Sequence, residues 1–398
     1  MDTMTMEEPG AAIESHESTS ASPIASGPRQ SLVQRWVLGL ASAIDAFFGF
    51  LSLITALAVL SVIPGLNLLS LGYLIHVSGR IAATGRLRDG WVGIRKASVI
   101  GRFAVGTWLV LLPIRFLTSL ANEAALVEAQ GRSARTWEIA VDSLWVLALI
   151  HIVWAGVRGG RLHHFLWPAP IRFLRWLRTP GKLVAVGSSG VRYLRELRLP
   201  YYFWLGARGF AGAALWLALP VGLLILGAQS APNPIGGVLS FAGGAMLMPV
   251  VMHLPFLQAN LGRENRWGAL FDLRRLRDQF ARAPLAFWMA LFVTLLFALP
   301  LYLLKIELPP RELAWLPSLV FALFGLPARF VTGWALGRAG RRATPRHRAM
   351  AWMSRLAMLP LALAYVIWIY FNQFLSWNGA LGLLEQHAFL VPAPLLSL

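Results

Sequence analysis

The chain has no cysteine. That excludes disulfides, thiolate metal sites, thioether-linked haem and thiol nucleophiles. Acidic residues are scarce: 18 Asp and Glu stand against 36 Lys and Arg, for a formal net charge of +18. Charged residues make up only 14% of the 398 residues, against roughly 25% in soluble domains. Catalytic signatures are missing as well. Gly181-Lys182 is followed by Leu183, and Trp176 stands where a phosphate-binding loop needs its first glycine. No H-E-x-x-H, G-x-S-x-G, dinucleotide-binding glycine pattern or EF-hand loop occurs. His163-His164 is a poor metal site, because adjacent helix positions point in different directions. The expectation is a protein without cofactor or metal and without enzymatic activity.

What the chain does have is apolar sequence, 57% hydrophobic overall. It is gathered into nine runs: Ala46–Ile63, Leu66–Gly79, Phe103–Ala121, Ile139–Val157, Phe210–Ala228, Gly237–Phe256, Leu285–Leu304, Ala314–Gly337 and Met353–Phe374. Crossing hydrocarbon takes about 20 residues of helix. Backbone exposed to lipid must satisfy its own N–H and C=O groups, so such runs are helices. The fold expected is all-α, a polytopic integral membrane bundle of about nine transmembrane helices with amphipathic interfacial helices. Leu66–Gly79 would reach only about 21 Å as a straight helix, short of a core about 30 Å thick. With Pro64-Gly65 at the turn, residues 46–79 form either two spans or a re-entrant hairpin that leaves seven. Residues 1–34 read as a disordered acidic tail rich in Ser, Ala and Pro, with Glu7, Glu8, Glu14 and Glu17 where a secretory signal would be positive. Residues 35–398 form the membrane domain.

Arginine gives the orientation. Alternate connections carry Arg80 to Arg102, Arg158 to Arg208, Arg263 to Arg282 and Arg338 to Arg348, whereas the opposite set offers only Arg132, Arg135, Lys305 and Arg311. Basic loops resist translocation, so the rich set is cytoplasmic, the N-terminus inside and the C-terminus outside. Gly79-Arg80, Gly160-Arg161, Gly262-Arg263 and Gly337-Arg338 fall where inward-running helices would end. They read as left-handed glycine caps, each followed by a cation at the negative helix end.

Within the connection 158–208, Arg172, Arg175 and Arg178 recur every third residue in Ile171–Arg178, and Arg192, Arg195 and Arg198 do so in Val191–Leu199. On a helix each triad makes a polar stripe beside an apolar face, which suits the headgroup layer. The functional reading is recognition of anionic lipid headgroups or of a protein partner. Completion of the fold under the positive-inside rule is the commoner role for such segments. Nucleic acid is not an expected partner, since no nucleic-acid-binding motif accompanies the arginines.

Ionisable residues at membrane depth are Arg115, Asp142, His151, His253 and Arg329. Each needs a partner and is a functional candidate. Arg115 and Asp142 sit at similar depth on consecutive segments and are read as an ion pair. His151 and His253 are read as interhelical hydrogen bonders, with a proton relay as the alternative. Arg329 is read as snorkelling toward the inner surface. A permease or channel would place these residues, with Pro64–Asn67, along one pathway. Helix breaks at Pro249, Pro255 and Gly325 with Pro327 would serve it. A lipid-modifying enzyme would use Asp272 or His163-His164 instead.

Pro64-Gly65-Leu66-Asn67, followed by Gly72-Tyr73 and a basic exit at Arg80, resembles a bacterial family of multi-pass membrane proteins known only as a domain of unknown function. Gly268-Ala269-Leu270-Phe271-Asp272-Leu273-Arg274 is similar to that family's aromatic-acidic box. The resemblance covers Pro64–Arg102 and roughly Pro249–Leu304. It implies a helical integral membrane protein with no assigned activity and supplies no catalytic residues. The location expected for the whole chain is the bacterial cytoplasmic (inner) membrane.

Because there is no native cysteine to interfere, orientation is open to a direct test. A single cysteine at Ser188 is expected to resist a membrane-impermeant maleimide in intact cells and to label after permeabilisation. Labelling in intact cells would reverse the orientation.

Overall fold

The computed structural model describes residues 32–127, 132–230, 232–303, 316–374 and 379–385. The chain divides into two units, Met1–Ile44 and Asp45–Leu398. The first is described from Leu32, as the opening of helix α1 (Leu32–Val62), and exposes Trp36, Leu40 and Ile44. The acidic tail expected over 1–34 lies outside the described residues, apart from 32–34, which are helical.

The second unit continues α1 and adds α2 (Asn67–Thr84), α3 (Ile94–Val127), α4 (Arg132–Val157), α5 (Leu162–Leu166), α6 (Pro170–Leu177) and α7 (Lys182–Glu196). Then follow α8 (Leu199–Gln229), α9 (Pro234–Glu264), α10 (Leu273–Arg282), α11 (Pro284–Leu303), α12 (Leu316–Gly340) and α13 (Arg348–Asn372). No strand occurs among the described residues. Each of the nine apolar runs falls on a helix. Seven helical stretches are long and apolar enough to cross a membrane, on α1, α3, α4, α8, α9, α12 and α13. An eighth is added if α10 and α11, which meet at 109°, are one broken span.

α2 is not in that set, and its surroundings explain why. Its polar content is high, with Asn67, Ser70, His76, Ser78 and Arg80, yet Asn67, Ser70, Leu71, Ile75, Val77, Ser78 and Ile81 are all fully buried. Packed between α8, α9 and α12, it is a core helix. A helix screened from lipid on these sides needs little apolar character of its own. Helix packing in hydrocarbon gains nothing from water exclusion and depends on close approach, which small residues permit. Here a Cβ on Gly72 would lie 1.8 Å from the Tyr202 carbonyl oxygen, and one on Gly206 would lie 1.9 Å from that of Leu68. Similarly, a Cβ on Gly79 would fall 2.1 Å from the Gly262 carbonyl carbon, and one on Gly262 would fall 2.2 Å from the Ile75 oxygen. Gly333 and Gly337 bring α12 against Ser78, Ile81 and Gly85 in the same way.

These contacts correct the reading of the Gly-Arg pairs. Gly79, Gly262 and Gly337 lie inside helices and serve crossings; of the four, Gly160 alone has positive φ. Left-handed caps are formed instead by Gly85 after α2 (φ 69°) and Asn265 after α9 (φ 53°). Both helices then continue alike, through an extended arginine (Arg86, Arg266) into a four-residue 3₁₀ turn. The helix breaks expected at Pro249, Pro255 and Pro327 do not occur either, since α9 and α12 run through them. Freed carbonyls in a packed bundle find other partners. Pro64-Gly65 does interrupt, at the α1–α2 turn.

α3, α4 and α5 form a satellite group with its own small core of Ile152, Ala155 and Phe165. Much of its apolar surface is turned outward, including Trp108, Phe116, Leu147 and Val153.

Gly79→Ala and Gly206→Ala each force a methyl group into backbone, and each is expected to destabilise the bundle by about 1–3 kcal/mol. Gly237→Ala, with nothing within 4 Å of its Cβ position, is expected to be neutral. Thermal unfolding in one detergent separates them, and equal midpoints would refute the packing role.

Candidate functional site

Hydrogen bonds tie together the four arginine-rich connections, which are the second (80–102), fourth (158–208), sixth (263–282) and eighth (338–348) of those between the nine apolar runs. The Arg341 guanidinium donates to the Gly85 carbonyl at 2.7 Å, joining the eighth connection to the second. Arg342 donates to the Arg282 carbonyl at 3.2 Å, joining the eighth to the sixth. Lys96 pairs with Glu196 at 3.1 Å, joining the second to the fourth, and Arg208 donates to the Asn265 carbonyl at 3.0 Å, joining the fourth to the sixth. Basic loops far apart in sequence thus share one end of the bundle. Glu264 there receives Arg263, Arg266 and Arg275. Asp272 accepts from the Arg275 backbone N–H at 3.0 Å and caps α10, which gives it a structural task.

α6 carries the first arginine triad. Its Phe173 and Trp176 rings lie 5.3 and 5.4 Å from that of Trp154 and anchor one side of the helix on α4. At about 100° per residue, Ile171, Leu174 and Leu177 fall on a second side and are exposed, as are Leu166 and Trp167 just before. Arg172, Arg175 and Arg178 occupy the third side, exposed and without an ion pair among the described residues. Cations flanking an outward apolar edge are what a headgroup layer accommodates.

α7 carries the second triad as far as Arg198, whose φ of 52° separates it from α8. Together, Ala185–Gln229 make a 45-residue apolar stretch, longer than the roughly 20 residues that cross a hydrocarbon core. Tyr193 donates to the Lys96 carbonyl at 3.0 Å and docks α7 on the start of α3. Arg192, Arg195 and Arg198 stay exposed without ion pairs among the described residues.

The intramembrane candidates do not meet in one cavity. Arg115 and Asp142 are both exposed and form no ion pair among the described residues. Each follows a buried residue, Ile114 or Val141, and is thereby turned about 100° off the packed seam. His151 and Trp154 on α4, with Arg158 just after it, hold the 165–168 segment. His151 Nε2–H donates to Phe165 O at 2.7 Å, Trp154 to Pro168 O at 2.9 Å and Arg158 to Trp167 O at 2.6 Å. Next to them, burial and the Arg158 charge hold the His164 pKa below its ordinary value, so this ring adds no positive charge near pH 7. His253 donates from Nδ1 to its own helix at Pro249 O, 2.6 Å away. It lines a half-open cleft of about 470 Å³ with Arg277, Phe280, Arg355 and Leu356. Arg355 is stacked there on Phe280 and Trp352.

Arg329 does not snorkel. It is 4% exposed and donates to Gln258 Oε1 at 2.7 Å, while Gln258 Nε2 donates to Gly209 O at 3.3 Å, linking α12, α9 and α8. An acceptor within reach removes the reason to seek the surface. Asn260 and Gln279 exchange amide hydrogen bonds of 3.0 and 3.3 Å between α9 and α10. Thr294 and Thr332 meet at 3.4 Å between α11 and α12. Gln258, Asn260 and Gln279 were missed by a reading that searched for charge, because uncharged amides carry no such flag. Their burial was the missing signal.

The chain matches no protein-family model, no curated protein and no solved structure. Its function is therefore argued from its own geometry.

Gln258→Leu leaves the buried Arg329 guanidinium without its acceptor and is expected to cost about 1–3 kcal/mol. Chemical unfolding in mixed micelles measures this. An unchanged midpoint would show that Arg329 is satisfied elsewhere.

Proposed function

We propose that this is a non-enzymatic multi-pass protein of a bacterial cytoplasmic membrane. In this reading it organises anionic lipid and membrane-protein partners through its arginine-rich inner face. The nine apolar runs cross in alternation, with α2 as an enclosed crossing and α10–α11 as a broken one, the N-terminus inside and the C-terminus outside. One observation carries the reading: the cross-section of α6, anchored by Phe173 and Trp176, with Ile171, Leu174 and Leu177 exposed beside three unpaired arginines. An apolar edge enters the acyl boundary while guanidinium groups meet lipid phosphates. α7 presents the second triad beyond the hydrocarbon, where a protein partner reaches it.

The pathway reading has no such support, because Arg115, Asp142, His151, His253 and Arg329 occupy separate environments.

A peptide of residues 171–199 is expected to co-sediment with anionic vesicles at least tenfold more strongly than with neutral ones. At about 1 kcal/mol per arginine near an anionic surface, replacing Arg172, Arg175 and Arg178 by Gln should weaken binding to the anionic vesicles at least tenfold, with Lys182, Arg192, Arg195 and Arg198 keeping the remainder. Equal binding to both vesicle types would reject lipid recognition.

A further inference from the structure

We infer that the cleft between the start of α11 and the end of α12 is a discrete binding site for the phosphate headgroup of an anionic membrane lipid. The cleft holds about 450 Å³, within the usual range of ligand pockets. Arg338, Arg342 and Arg346 line it together with Leu285, Trp288 and Trp334, and no carboxylate lines it among the described residues.

Three features separate this place from basic residues that only mark a cytoplasmic loop. The first is convergence. Arg338 lies over the Trp334 ring at 5.4 Å, and Arg342 is tethered to the Arg282 carbonyl at 3.2 Å. The Arg346 backbone N–H is fastened to Ala281 O at 2.8 Å. Topology needs positive charge on this side of the membrane but not three guanidinium groups drawn to one hollow against their mutual repulsion. Partial burial, then the charges of Arg346 and Arg338, hold the Arg342 pKa below its ordinary value.

The second feature is the indole wall. Trp288 and Trp334 line the cleft, and indole rings suit the boundary between headgroups and acyl chains. The first turn of α11 adds to the same wall, turning the positive end of its helix dipole toward the anion. The third feature is the floor. Leu285, Ala286, Met289 and Met350 make it apolar, which suits an amphiphile better than a free ion. Arginine binds phosphate through paired N–H donors, so the chemistry recognised is a phosphate ester with an acyl tail. The proposal shares with the proposed function the placement of the arginine-rich end at a bilayer surface. It does not depend on α6 or α7.

Native mass spectrometry of the full-length protein tests it, with separate titrations of dioleoyl phosphatidylglycerol, dioleoyl phosphatidylcholine and inorganic phosphate. The expected result is one phosphatidylglycerol retained per chain under conditions that strip phosphatidylcholine. Arg338→Gln/Arg346→Gln should weaken that retention at least tenfold, and both tethers to α10 are left intact in this variant. Trp288→Ala, which removes its part of the indole wall, should weaken it severalfold. A variant with Gln at positions 172, 175, 178, 192, 195 and 198 should keep it, which separates this site from the α6–α7 face. Should the double variant fail to fold, Arg346→Gln carries the comparison alone, its side chain making no hydrogen bond among the described residues. Undiminished retention in the folded variants, or equal retention of phosphatidylcholine, overturns the proposal. Inorganic phosphate binding as tightly as the lipid overturns the assignment to a lipid.

Discussion

Where Gly72 of α2 meets Gly206 of α8, and Gly79 meets Gly262 of α9, the backbones approach so closely that a methyl group would overlap main-chain atoms. Gly333 and Gly337 repeat the contact on α12. Three long helices thereby close on one short helix, and the remaining architecture follows from that enclosure. Screened from lipid, α2 can carry Asn67, Ser70 and Ser78 fully buried. Close approach gathers dispersion contacts over the length of the helix, and it brings Gln258, Arg329 and Gly209 O within hydrogen-bonding reach across α9, α12 and α8.

Arginine does two kinds of work in this chain. Arg208, Arg341 and Arg342 end on backbone carbonyls of other connections and tie one end of the bundle together. Carbonyls left over at helix ends need donors, and a long side chain with five N–H groups reaches them across gaps that short residues cannot. The arginines of α6 and α7 bind nothing comparable and stay exposed. Both kinds occur in the same connection, Arg208 following Arg192, Arg195 and Arg198. Sequence spacing does not tell a staple from a free cation, because the difference lies in which carbonyl a neighbouring helix leaves within reach.

The positions of the helices were legible because apolar run length is a direct consequence of bilayer thickness. All nine runs lie on helices, and the alternation of basic loops is mirrored in the hydrogen bonds that join them. Other features were not legible. The Gly-Arg pairs suggested caps, yet three of those glycines are crossing points, since a missing Cβ serves a turn and a close contact equally well. Arg115 and Asp142 suggested an ion pair from depth alone. Helix rotation, which hydropathy does not report in a uniformly apolar helix, turned both outward. Arg329 suggested snorkelling, and a glutamine 71 residues away in sequence held it inside.

Composition and charge order by themselves determined that this chain is helical, that its helices are suited to a membrane, and where along the chain each one lies, although α3, α4 and α8 begin 7 to 11 residues before their apolar runs. These are local matters, settled by the transfer of each segment between water and hydrocarbon and by the need of every backbone group for a partner. Tertiary structure decided which helix is enclosed, which glycines touch, which arginines are bound and which remain free, and that Arg338, Arg342 and Arg346 surround one cleft. Those outcomes depend on the rotation and mutual distance of helices remote in sequence, and no local preference encodes either.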